Sequence, residues 1–215
     1  ETVDVTAGND GTSLGTMQLA SVGDDGLNSM QCVGYGHNRW GTSAIRQYLN
    51  ASGENWWKSQ EDFDIRPDQY TKKGFMSGFS DDFLAAIKPV KVTTALNTVE
   101  GLSTATEDTY DTFFLPSLEQ MNVKPQLPDV EGNFFEYWRK RIGLNKFINY
   151  SWDAEPNKSD ALLIPSLNAN SPQSVRLRSA YRGYASYAWG VFSAGCVLNS
   201  SASSALRFSP VCAIC

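Results

Sequence analysis

The side chains equipped for chemistry are few, and each sits in a setting with a simpler explanation. His37 is the single histidine, so a Ser-His-Asp or Cys-His centre would have to be built on it. Its surroundings, Gly34-Tyr35-Gly36-His37-Asn38, contain no nucleophile on a sharp strand-to-helix turn, and a loop or capping role is expected. Cys212-Ala213-Ile214-Cys215 is a lone C-x-x-C, with Cys32 and Cys196 far away in sequence. A zinc site would need a second pair, and a thioredoxin-type redox pair should open a helix, whereas here the sequence stops. Ordinary thiols are the expectation. Glu61, Asp62 and Asp64, or Asp81-Asp82, could flank a glycosidic bond, but solvation and helix capping account for them. No enzyme, cofactor or metal is expected.

The elements that would position a site are short. Thr42 or Ser43 can cap a helix whose buried face is Ile45, Tyr48 and Leu49, at i, i+3 and i+4. Ser80 caps a second helix predicted over 81–88, with Phe83, Leu84 and Ile87 as its apolar stripe and Pro89 as its stop. Residues 90–96 alternate as a strand, 110–115 read as an aromatic strand and 117–121 as a helical turn. Pro125, Pro128 and Gly132 mark a loop over 122–133. Phe134, Tyr137, Trp138 and Ile142 line one side of a helix over 134–142. Leu162-Leu163-Ile164 and Val175-Arg176-Leu177-Arg178 are the clearest later strands.

Composition narrows the partners. The net charge of −5 repels phosphate backbones, and the short cluster Arg139-Lys140-Arg141 reads as a solvated helix face, so nucleic acid is not expected. No apolar run approaches a membrane span. Six Trp and nine Tyr beside only 19% charged residues suit a body packed by large rings or a surface made for contact. With no repeat or linker, one domain over 31–215 is expected, preceded by a strand and loop segment over 1–30 that could serve attachment.

The unusual stretch is 181–206, Tyr-Arg-Gly-Tyr-Ala-Ser-Tyr-Ala-Trp-Gly-Val-Phe-Ser-Ala-Gly-Cys-Val-Leu-Asn-Ser-Ser-Ala-Ser-Ser-Ala-Leu. Arg182 is its only charged residue, and Lys, Glu, Asp, Gln and Met are absent. Tyr, Ser and Gly dominate antibody contact loops for a physical reason: rigid rings give contact area at low entropy cost, and small residues adapt their hydrogen bonds.

Val175-Arg176-Leu177-Arg178-Ser179-Ala180, the Ala188-Trp189-x-Val191-x-Ser193-x-Gly195-x-Val197 core and Arg207-Phe208-Ser209-Pro210-Val211-Cys212 resemble the variable proteins of diversity-generating retroelements from gut bacteria and their phages. Asn38-Arg39-Trp40, Ile45-Arg46-x-Tyr48-Leu49-Asn50, Gly74-Phe75-Met76 and Phe114-Leu115-x-Ser117-Leu118-Glu119 extend the resemblance upstream, so it runs with gaps from Asn38 to the C-terminus. In that family, template Asn codons are randomised at their adenines. Such codons reach Tyr, Ser, Gly, Phe, Leu and Cys but never Trp, Lys, Glu, Gln or Met. Tyr181, Gly183, Tyr184, Ser186, Tyr187, Gly190, Phe192, Cys196, Leu198, Ser200, Ser203, Ser204 and Leu206 all fall in the reachable set, while Trp189 falls outside it, at a position where the family pattern is constant.

The resemblance implies an α+β, C-type-lectin-like fold with two main helices, a small twisted antiparallel sheet and long loops. The reachable residues would form an exposed ligand-binding surface, with Arg182, Trp189 and Arg207 as scaffold. The implied role is recognition of a protein or glycan on a target cell, from a virion or bacterial surface. The competing expectation is a structural virion domain, a capsid decoration or fibre-attached piece making fixed contacts to other virion proteins. Glu155-Pro156-Asn157 spells the sugar-binding tripeptide of calcium-dependent lectins, but no Trp-Asn-Asp follows it to complete the oxygen cage, so no calcium dependence is expected.

Overall fold

The computed structural model describes residues 38–59, 66, 68–98, 104–136, 175–184, 187–192, 197–202, 207–208 and 210–214. The predicted segments at 1–30, 137–142 and Leu162-Leu163-Ile164 lie outside the described residues, as do His37, the Glu61 cluster, Arg139-Lys140-Arg141 and Glu155-Pro156-Asn157.

Helix α1 (Ala44–Leu49) begins where Ser43 Oγ accepts the Arg46 N–H at 3.2 Å and buries Ala44, Ile45 and Leu49. Asn50 ends it and ties it to distant chain. Its Nδ2 donates to the Arg46 and Phe113 carbonyls at 3.0 and 2.9 Å, and its Oδ1 accepts from Thr112 and Phe113 N–H. Helix α2 (Asp81–Ala85) is capped by Ser80 Oγ, with Asp81 and Asp82 in its first turn, where a negative charge meets the unpaired N–H groups. It is shorter than the predicted 81–88. Ile87–Lys88 instead form strand β1, paired antiparallel with β8 (Ala213–Ile214), and a distant partner takes the residues that would have closed another turn.

Strands β2 (Val90–Ala95) and β3 (Thr106–Asp111) form an antiparallel ribbon in the register Val90↔Asp111 to Ala95↔Thr106. The aromatic strand predicted over 110–115 is therefore displaced. Pairing stops at Asp111, and beyond it only Phe114 bridges, to Val211. The third sheet has the order β6-β5-β4-β7, from β4 (Val175–Ala180), β5 (Tyr187–Val191), β6 (Val197–Ser201) and β7 (Arg207–Phe208). Its β4–β7 pair is parallel and the others antiparallel. Short helices beside small, mainly antiparallel sheets make this an α+β arrangement without a barrel among the described residues.

The abundant aromatics supply much of the packing. Phe79 stacks between Phe83 and Phe113, with ring centroids 5.0 Å away on each side, and Phe75 meets Phe79 and Phe113 edge-on. This layer joins Trp40, Leu49, Leu115 and Ala188 in the main core. Chain crossing beneath it demands a glycine: a Cβ on Gly74 would lie 2.2 Å from the Ala51 carbonyl oxygen. A second cluster, Leu118, Met121, Leu177 and Val191, is covered by Trp189, Phe134 and Val197.

β4 is buried from Arg176 to Ala180, arginines included. Arg178 donates to the carbonyls of Leu115, Thr93 and Glu131 and to Thr94 Oγ1 and Gln120 Oε1. It ties β2 and the 115–131 segment to the four-stranded sheet. Burial lowers the Arg176 and Arg178 guanidinium pKa values to about 10, so both stay charged at neutral pH.

Candidate binding surface

The turn joining β4 to β5 is closed by its own backbone. Tyr181 N–H donates to Tyr187 O at 3.0 Å, Tyr184 N–H to Tyr181 O at 3.2 Å and Tyr187 N–H to Tyr184 O at 3.1 Å. Asn38, fully buried, then reaches those same carbonyls. Its Nδ2 lies 3.1 Å from Tyr181 O, 2.9 Å from Tyr184 O and 2.6 Å from Tyr187 O, while Asn97 Nδ2 donates to its Oδ1 and fixes the amide's orientation. Arg182 is held from the other side. Its N–H donates to Gln126 Oε1 at 2.7 Å, and its carbonyl accepts from Thr98 N–H and Oγ1 at 2.8 and 2.7 Å. Its Nε donates to Leu96 O at 2.9 Å. Apart from that last bond, these contacts use the turn's main-chain atoms.

The side chains freed by this arrangement gather into one patch. Tyr181 stacks on Tyr184 with centroids 5.8 Å apart and meets Trp189 at 5.4 Å. Tyr187 closes the group at 5.6 Å from Tyr184. Tyr184 is 61% exposed, Tyr181 and Tyr187 are half-buried, and Gly183 beside them is exposed. Trp189 links the patch to the second core cluster. Among the described residues its buried Nε1 has no hydrogen-bond partner.

The remaining candidate positions divide. Leu198 is 49% exposed on the outer strand β6 and Phe192 is half-buried. Gly190 is buried inside the sheet opposite Leu198, so it presents nothing to a ligand as it stands. The Ser200 hydroxyl accepts from Arg176 Nη1 at 3.2 Å, which directs it toward the scaffold. Arg176 also reaches Ser201 O on β6 at 2.8 Å and Ala188 O on β5 at 3.4 Å, so it holds β6 through one side chain and one main-chain atom. The Arg207 backbone pairs with Val175. Ser186, Cys196, Ser203, Ser204 and Leu206 lie outside the described residues.

Burial pushes the half-buried Cys212 thiol up from its ordinary value, away from the reactive thiolate. Among the described residues, no group of three His, Cys, Asp or Glu is placed to hold a metal, and no helix is long and apolar enough to cross a membrane. Glu131, which is buried, accepts from Ala95 N–H at 3.0 Å and from Ser179 Oγ. Its carboxyl is raised by burial, against the opposing pull of Arg178 and these hydrogen bonds.

Of the residues that hold the turn, Asn38 stood out in the sequence only as part of a resemblance, and Asn97, Thr98 and Gln126 carried no signal at all. They come from three loops, and only the fold brings them to one place.

The described residues form a mixed helix-and-strand arrangement with small, mainly antiparallel sheets and a cluster of tyrosine rings at the β4–β5 turn. The chain belongs to the DUF6273 family, a domain of unknown function whose sequence model matches residues 22–214. No curated protein and no solved structure matches it.

Proposed function

We propose that this chain is a diversified recognition module: a variable protein of a diversity-generating retroelement, with a C-type-lectin-like frame. In this reading it is displayed on a phage particle or bacterial surface and contacts a protein or glycan of a target cell. Tyr181, Tyr184, Tyr187 and Phe192 are its anchors, since large aromatic side chains dominate the energetics of contact surfaces.

The observation that carries the reading is how the 181–187 turn is held. A surface that must accept many side chains cannot depend on any of them for its shape. Here Asn38, Gln126 and Thr98 grip main-chain atoms that every residue except proline offers alike. The side-chain bond from Arg182 to Leu96 O belongs to a position that the resemblance keeps constant.

Sequencing the locus across a population tests it. Substitutions should concentrate at 181, 183, 184, 186, 187, 190, 192, 196, 198, 200, 203, 204 and 206, with Arg182 and Trp189 unchanged. A nearby reverse-transcriptase gene and an imperfect repeat differing only at adenines should accompany them. Variation spread evenly along the chain, with no such repeat, would refute the proposal.

A further inference from the structure

We infer that the hoop of chain over 119–134 forms a separate, fixed binding site for a neutral polyhydroxylated ligand, a saccharide unit, held without a metal. This does not depend on the tyrosine surface being diversified, because no residue of the site lies in 181–206.

A half-open cavity of about 600 Å³ lies against this hoop, within the size range of small-molecule sites. The hoop is braced from behind. The Glu119 carboxylate accepts the backbone N–H of Asp129 and, at 2.6 Å, that of Glu131. Val123 N–H donates to Leu118 O at 2.8 Å. Arg178 Nη2 and Ser117 Oγ reach Glu131 O at 2.6 and 3.2 Å. The chain reverses through positive φ at Asn122, Asp129 and Gly132. A loop fixed in this way has little ordering left to undergo when a ligand arrives.

Four polar residues of the braced hoop border one opening. Asn122, Lys124, Asp129 and Asn133 are exposed and line the cavity, and none of their side chains makes a hydrogen bond or ion pair among the described residues. Phe134 and Pro125, both half-buried, supply an apolar wall.

Elimination on chemistry leaves one class. An anion would meet two carboxylates, Glu119 and Asp129, against one ammonium. A divalent cation of the calcium type wants six to eight oxygens, yet both Glu119 oxygens are already taken by backbone N–H groups. An apolar ligand would strip water from four polar side chains and return no bonds. Hydroxyl groups donate and accept at once, so they suit two amides, a carboxylate and an ammonium together, while a sugar's C–H face packs on Phe134 and Pro125.

Saturation-transfer NMR on the full chain tests this, with methyl α-mannoside, methyl β-galactoside and N-acetylglucosamine at millimolar concentration in EDTA. Transfer to the ring protons of at least one sugar is expected. Asn133→Ala and Lys124→Met alter exposed, unbonded side chains and should fold normally; the first should weaken binding about fivefold, the worth of one neutral hydrogen bond, and the second about tenfold, the worth of one from a charged group. Tyr184→Ala should leave binding unchanged. Absence of transfer from all three sugars, or transfer undiminished in both hoop variants, would overturn the inference. Loss of transfer in Tyr184→Ala alone would also overturn it, by moving the sugar to the tyrosine surface.

Discussion

The Asn38 side chain donates to the Tyr187 carbonyl at 2.6 Å across 149 residues of sequence, and the same amide lies within reach of the carbonyls of Tyr181 and Tyr184. One buried group thus shapes a turn whose side chains point elsewhere. Asn38→Ala takes the buried side-chain donor from those carbonyls, leaving each with only the turn's own backbone N–H, and removes the acceptor of Asn97 Nδ2. Urea denaturation should show a loss of about 1–3 kcal/mol, the sum of two or three hydrogen bonds at about 0.5–1.5 kcal/mol each.

Tyr184→Ala should behave in the opposite way. The ring is 61% exposed, and its main-chain carbonyl, which Asn38 uses, survives the change. Stability should move by no more than about 0.5 kcal/mol, as is usual at exposed positions. A loss comparable to that of Asn38→Ala would show that the ring itself holds the turn.

Arg178 is the stiffest test of the frame. Replacing it with Met preserves bulk but takes the guanidinium donors from the carbonyls of Leu115, Thr93 and Glu131, the last keeping only Ser117 Oγ, and removes the cation whose charge opposes the raised Glu131 pKa. Losing one partner from a buried charged network costs about 3–5 kcal/mol. The melting temperature should fall accordingly, or the domain should fail to fold.

Glu131 gives a pH signature. Its folded pKa is raised, chiefly by burial, so between its ordinary and raised values the folded state binds the proton more tightly than the unfolded chain does. Its contribution is complete below the ordinary glutamate pKa and is lost as pH rises through the raised value. Melting temperature should therefore decline over that window in the wild type. Glu131→Gln, uncharged throughout, should flatten the decline; an unchanged slope would assign the effect to another group.

What the sequence disclosed was local. Ser43 and Ser80 cap helices because a side-chain oxygen satisfies an N–H three residues on, a relation that spacing alone reveals. The overestimated end of α2 shows the limit: Ile87 and Lys88 pair with Ile214 and Ala213, and nothing near them in sequence announces it. β3 was hidden by its polarity. Thr-Glu-Asp-Thr-Tyr-Asp does not look half-buried, yet Asp111 is fully buried, accepting from Trp40 Nε1 and Arg46 Nε, and Glu107 takes Arg39 Nε and Gly41 N–H. The composition of 181–206 pointed to a contact surface. Which of its residues face the scaffold, as Ser200 and Gly190 do, depends on strand register and on Arg176 reaching across β5.

The central claim is that the frame keeps its shape whichever side chains occupy the tyrosine surface. The most direct measurement is urea unfolding of the quadruple variant Tyr181→Ser, Tyr184→Ser, Tyr187→Ser and Phe192→Ser, followed by tryptophan fluorescence. The account predicts a single cooperative transition with the wild-type dependence on denaturant and a moderately lower midpoint. A broad, non-cooperative transition, or a chain already unfolded in water, would contradict it.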